Sequence, residues 1–157
     1  MVVVAAKIAI FLAAFGGMEA VANVTHRFVM HGALWCWHRS HHEPRRDRFE
    51  RNDLFAVIFA LPAILFIWLG VNVSGWWLPL GLGITAYGAA YAVFHDGLVH
   101  ERFPVPLDGR RKFWRARIQA HRIHHAVVSR KGCVSFGFLW VRPIRELKLK
   151  LLAEGGR

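Results

Sequence analysis

Cysteine is nearly missing from this chain: Cys36 and Cys133 are the two in 157 residues. So distant a pair makes neither a disulfide framework nor a Cys-x-x-Cys zinc or redox motif, and two unpaired thiols in a reducing compartment are the plain reading. Acidic side chains are scarce as well, 10 against 21 Lys and Arg, for a formal net charge of +11. Residues 54–94 contain no charged side chain and no histidine. A transporter that passes metal across a bilayer needs ligands along its path, and this stretch offers none. The basic balance does not mark a nucleic-acid binder either, because the long apolar runs leave no soluble scaffold for reading a groove.

The apolar content is high: 55% of residues are hydrophobic and the mean hydropathy is +0.29. High charge and high hydropathy coexist in a membrane protein whose charges are confined to loops and tails. The first apolar run, residues 2–24, is long enough for one crossing, since about 20 residues span the hydrocarbon core. A cleaved signal peptide would have a shorter apolar core and a small-x-small site, so a retained anchor is expected. Residues 54–94 are too long for one crossing and right for two, at about 54–71 and 76–94. Asn72, Ser74 and Gly75 supply the turn, and Trp76 and Trp77 follow where an interfacial belt would lie. The small residues Gly81, Gly83, Ala86, Gly88, Ala89 and Ala90 suit close helix packing.

The cations sort sharply. Residues 1–25 hold one (Lys7), 26–53 hold six, 54–94 none and 95–157 fourteen. Lys and Arg accumulate on the cytoplasmic side. Segments 25–53 and 95–157 are therefore both expected in the cytoplasm, with the N-terminus and the turn near Ser74 outside. Three crossings close this topology, and a fourth, shallow or re-entrant piece stays open. Pro44 should end the helix that precedes it. Residues 103–109 read as a loop and 111–125 as a helix. Residues 133–141 are apolar but too short to span, hence interfacial or packed on the bundle. A last helix at about 143–152 alternates Leu with Arg and Lys and could lie on anionic lipid.

All ten histidines fall in the segments assigned to one side, and all ten belong to four short motifs. His38, His41 and His42 form His-x-x-His-His, and His121, His124 and His125 repeat it. His26 and His31 precede the first copy, His95 and His100 the second. Helical residues three and four apart share a face, so each triplet is expected to project its rings into about one quadrant. The wider His-x4-His pairs are less tidy, because five residues of regular helix turn about 140°. Such pairs either serve two different ions or sit on a distorted helix. Imidazole is the commonest metal ligand at neutral pH, and ten exceed what one ion can use. Two ions with about five each are expected. Nitrogen donors suit Fe, Cu, Ni or Zn, and the lack of a Cys set argues against structural zinc. Asp96, Glu101 and Glu43 each follow a histidine and either orient a ring by a hydrogen bond or are plain surface charge. Two axial ligands would satisfy a bis-histidine haem.

At these motifs the chain resembles a known family. Residues 26–32 (HRFVMHG), 37–45 (WHRSHHEPR), 94–100 (FHDGLVH) and 120–126 (AHRIHHA) resemble the bacterial β-carotene hydroxylases. These are a branch of the fatty acid hydroxylase / sterol desaturase superfamily of integral-membrane non-haem di-iron oxygenases. The likeness runs from about residue 20 to 145, and the HDGLVHERFP stretch points to the carotenoid branch. It implies an all-α integral-membrane bundle with a cytoplasmic histidine-rich helical cap, one domain over residues 1–157, in the inner membrane. It implies two iron ions held by His26, His31, His38, His41, His42, His95, His100, His121, His124 and His125. Those residues would also be the catalytic ones, in a non-haem di-iron monooxygenase. Dioxygen would be used with electrons from NAD(P)H through ferredoxin and its reductase, for hydroxylation at carbon 3 of each β-ionone ring. β-Carotene would become β-cryptoxanthin and then zeaxanthin, and canthaxanthin would lead towards astaxanthin. A fatty acyl or sterol substrate in the same chemistry is the nearest alternative. A basic cytoplasmic face suits an acidic electron carrier.

Overall fold

The computed structural model describes residues 1–44, 47 and 49–154. Arg45, Arg46, Arg48 and Arg157, counted above among the cytoplasmic cations, lie outside the described residues. Among those described, every regular element is helical. The α-helices are α1 (Val2–Val24), α2 (Trp35–His42), α3 (Leu54–Asn72), α4 (Leu78–Tyr91), α5 (Lys112–His125) and α6 (Ile144–Ala153). Two π-helical segments extend the long helices: Thr25–Ala33 continues α1, and Ala92–Val99 continues α4. A short 3-10 turn, Arg51–Asp53, leads into α3.

Two helices are long and apolar enough to cross a membrane, Val2–Ala33 with mean hydropathy 1.9 and Arg51–Asn72 with 2.7. Apart from the charged Lys7 and Glu19, α1 and α3 carry apolar side chains on every side, as suits a helix surrounded by lipid. Large apolar side chains such as Leu12 on α1, and Leu61, Leu65 and Trp68 on α3, point outward. The tight connection at 73–77 sends α4 back beside α3, and α4 packs against both α3 and α1. Small residues make that approach close. A Cβ on Gly81 would lie 2.7 Å from the Ile67 nitrogen of α3, and one on Gly83 would lie 2.6 Å from the Phe11 carbonyl of α1. Backbone cannot move aside as a flexible side chain can. Gly83→Leu should therefore cost about 1–3 kcal/mol through overpacking, read as a lower midpoint of thermal unfolding in detergent.

Lys7 places its ammonium over the Trp76 ring at 5.7 Å from the centroid. The start of α1 and the α3–α4 turn thus share one end of the bundle. All ten histidines gather at the other end. There α2, α5 and α6 form a cap, joined by an irregular strap, residues 127–143, which folds back beneath it. Val134 of the strap, Ala120 of α5 and Leu147 of α6 form one buried cluster. Phe138 packs with Tyr87 and Phe94 in the other, at the junction of bundle and cap. The apolar segment 133–141 is therefore packed on the bundle, and Leu147 docks α6 on the cap while Leu149 and Leu152 stay exposed. Both thiols are free; Cys36 is exposed and Cys133 is buried.

Candidate metal centre

The two His-x4-His pairs fall in the two π-helical segments, which settles how they act. A π-turn bonds residue i to i+5: His100 N–H donates to the His95 carbonyl at 2.9 Å, and Leu34 N–H to the Val29 carbonyl at 2.9 Å. Residues five apart then lie nearly one above the other. The ring centroids of His26 and His31 are 5.3 Å apart, and those of His95 and His100 4.6 Å. Each pair serves a single group of histidines.

Two groups result. His26, His31, His38, His42 and His124 bring one nitrogen each within 4.8 Å of one another, and so do His41, His100, His121 and His125. His95 joins the second group through His41, whose Nε2 lies 3.1 Å from the His95 Nε2. The triplets do not act as units, which corrects the expectation of one shared quadrant. On α2, His38 and His42 face the first group and His41 the second. On α5 the arrangement is reversed, with His121 and His125 in the second group and His124 in the first. Residues four apart keep one face, while the neighbour next in sequence is turned about 100° away.

Seven rings are held from behind. In the first group, the Nδ1–H of His26 donates to the Phe136 carbonyl at 3.1 Å, that of His31 to Arg130 at 3.2 Å, that of His42 to Val127 at 2.9 Å and that of His124 to Val134 at 3.2 Å. All four carbonyls belong to the strap. His38 donates to the Asn52 side-chain oxygen at 2.7 Å. In the second group the acceptors are carboxylates: Glu50 for His41 at 3.2 Å and Asp96 for His95 at 2.9 Å. Arg102 sits 3.6 Å from Asp96 and makes two 2.7 Å bonds to Asp53, fastening this side to the start of α3.

A carbonyl oxygen can only accept, so each ring bonded to one carries its proton on Nδ1 and leaves Nε2 as a bare lone pair. Those lone pairs face each other. His31 and His124 Nε2 are 3.2 Å apart, with both rings donating to strap carbonyls; His26 and His38 Nε2 are 3.0 Å apart. In the second group His41 and His95, each donating from Nδ1 to a carboxylate, hold their Nε2 atoms 3.1 Å apart, and His125 Nε2 is buried without a hydrogen-bond partner among the described residues. Lone pairs held this close repel unless a cation lies between them. Right-angled nitrogen ligands about 2.1 Å from one ion stand about 3 Å apart, so the donor set fits a metal ion in each group. Burial, reinforced by neighbouring rings, keeps the imidazoles neutral: it pushes His42 down to about 4, His38 and His100 to about 3, and His41, His121 and His124 well below the usual range.

These shifts set an acid limit for the metal-free protein. The unfolded rings take up protons near pH 6.5, whereas the folded rings do so only at lower pH. Stability is thus complete above about pH 6.5 and falls as the pH drops towards the folded values, because the unfolded state then binds more protons. Chemical unfolding of metal-stripped protein at pH 7.5, 6.5 and 5.5 should show a loss confined to the acid side.

A cavity of about 470 Å³ opens between α1, α3 and α4 and ends at the histidines. Ile64, Ile67 and Ile84 line its apolar part, and His26, His38 and His95 its inner end. Tyr91, also in its wall, stacks on His95 at 4.6 Å.

Among the acids expected beside histidines, Asp96 bonds the His95 ring. Glu43 instead pairs with Arg39 at 2.7 Å on the surface, one helical turn away, and Glu101 is exposed with φ 53°. Sequence reasoning did not single out Glu50, Asn52 or the strap carbonyls. Carbonyls carry no side-chain signature, and Glu50 sits among arginines as an ordinary surface acid would.

The chain is 49% identical to the β-carotene hydroxylase of Pantoea ananas over 89% of this chain and 80% of that protein. It is 50% identical to the β-carotene hydroxylase of Pseudescherichia vulneris over the same shares. A chloroplastic β-carotene hydroxylase of Capsicum annuum is 45% identical over 74% of this chain and 39% of its own length. No solved structure matches. The family model described as fatty acid hydroxylase matches residues 11–142, across both π-helical segments, α2 and α5, and the chain belongs to the fatty acid hydroxylase family.

Proposed function

We propose that this protein is a membrane β-carotene 3-hydroxylase with two non-haem irons, one in each histidine group. The observation that carries the reading is the meeting of an apolar cavity with both sets of inward-facing nitrogens, at His26, His38 and His95. β-Carotene is a bilayer solute, and the cavity wall is formed by helices that lipid surrounds. Bound iron would supply dioxygen activation, with electrons from NAD(P)H through a ferredoxin-type carrier. One oxygen atom enters a ring C–H bond as hydroxyl, and the other leaves as water with two electrons and two protons.

The chain's own residues do the rest. The isoleucines of α3 and α4 hold the polyene, and Tyr91 and Phe138 wall the ring end beside His95. Strap carbonyls, Asn52, Glu50 and Asp96 fix seven of the ten imidazoles in the tautomer that ligates. The strap and α5 shut bulk water from the first group, where His124 is fully buried. Three crossings, at 2–24, 54–71 and 76–94, put the histidines on the cytoplasmic face of the inner membrane, supported by the concentration of Lys and Arg in segments 25–53 and 95–157. Ferredoxin would dock on that basic face.

Expression in a β-carotene-producing host tests the reading. Zeaxanthin and β-cryptoxanthin should accumulate, and the purified protein should hold about two irons per chain. Pigments unchanged at full expression would refute the carotenoid assignment. Feeding fatty acids and sterols to the same cells separates the alternative substrates of this chemistry.

A further inference from the structure

Glu19 is a carboxylate 2% exposed in the middle of an apolar helix, and the chemistry above does not use it. Its Oε1 accepts the backbone N–H groups of Phe138 at 2.7 Å, Leu139 at 2.8 Å and Trp140 at 3.2 Å. Its Oε2 accepts the Tyr87 hydroxyl at 2.8 Å. Four donors and no acceptor surround it, which suits the two oxygens of a carboxylate. From the opposite side Arg117 of α5 donates to the Leu139 carbonyl. Gly137 makes the approach feasible: a Cβ there would lie 3.1 Å from Glu19 Oε1 and 2.7 Å from the Trp140 carbonyl. Glu19 therefore grips the strap at 138–140, just after the carbonyls of Val134 and Phe136 that hold His124 and His26.

We propose that Glu19 is a positioning residue for the first histidine group, acting through the strap and leaving the second group untouched. The asymmetry is in the hydrogen bonds. Four of the five rings of the first group are held by strap carbonyls, while in the second group no ring is bonded to the strap among the described residues, and His41 and His95 are held by Glu50 and Asp96, which lie outside it. Releasing 138–140 frees the Phe136 and Val134 carbonyls to drift, and the rings of His26 and His124 lose the tautomer and direction that aim Nε2 inward. Loss of such an orienting partner weakens a metal site about 10–100-fold.

This inference rests on the two-metal reading, so the test separates them. Whole protein in lipid nanodiscs is stripped of metal and titrated with cobalt(II), whose ligand-field bands report each centre. Wild type should take up two ions. Glu19→Leu should keep one at wild-type affinity and bind the other at least tenfold more weakly, while Glu19→Gln, which keeps Oε1 as an acceptor, recovers most of the loss. In metal-free protein the amides of Phe138, Leu139 and Trp140 should exchange faster in Glu19→Leu than in wild type. Should Glu19→Leu fail to fold, Gly137→Ala, which moves the strap off an intact carboxylate, should give the same selective loss. Equal weakening of both ions, or two ions at wild-type affinity in a folded variant, would overturn the positioning role. Wild type that takes up fewer than two ions would overturn the two-metal reading instead, and the amide exchange would still decide whether Glu19 holds the strap.

Discussion

His124→Ala is expected to reduce hydroxylated product to background and bound metal from about two ions per chain to one or fewer. His124 is fully buried, faces His31 across 3.2 Å and takes its orientation from the Val134 carbonyl. Alanine removes a nitrogen from the first group and leaves that carbonyl without its donor. Insertion should be unaffected, because α1, α3 and α4 pack without it. Metal analysis of the purified variant, together with pigment analysis of the cells and membrane fractionation, checks all three points. A variant that keeps two ions and makes normal product would remove His124 from the ligand set.

Gly88→Phe should have the second large effect, for the opposite reason. Gly88 lies on the face of α4 that carries Ile84, Thr85, Tyr91 and Ala92 into the cavity, three or four residues away in each case. A Cβ there would meet nothing within 4 Å. Alanine should be tolerated. Phenylalanine should fill the space that a ring end must enter and lower product at least tenfold, with both ions retained. Metal content separates the two outcomes: loss of metal would place Gly88 in the scaffold of the centre, and full activity would show that the substrate does not use this cavity.

The elements that could be read from the sequence are those written in side-chain type. Long apolar runs gave α1 and α3 to within a residue or so, Pro44 marked the end of α2, and ten histidines in four motifs marked the centre. Four things were not legible. The π-helical segments depend on which carbonyl each N–H chooses, and an α-helical count of five residues leaves the His-x4-His pairs pointing apart. The division of each triplet between two groups depends on where the partner helix stands. The strap is invisible because its contribution is four backbone carbonyls, two of them in the segment 133–141 that reads as short and apolar and two, of Val127 and Arg130, just before it. Glu19 is a single acid within an apolar run, and its strap partners lie more than a hundred residues away in the chain.

One arrangement has a consequence for the gap between the two groups. On α2 the adjacent residues His41 and His42 serve opposite groups, and on α5 His124 and His125 do the same. The rings of His42 and His125, one from each group, stack at 4.4 Å where the helices meet. The distance from one group to the other is thus gauged twice by the span of a single peptide unit, a length of about 3.8 Å that covalent bonding does not let vary. Tilting either helix would move neighbouring ligands of both groups at once, so a disturbance at one group is felt at the other.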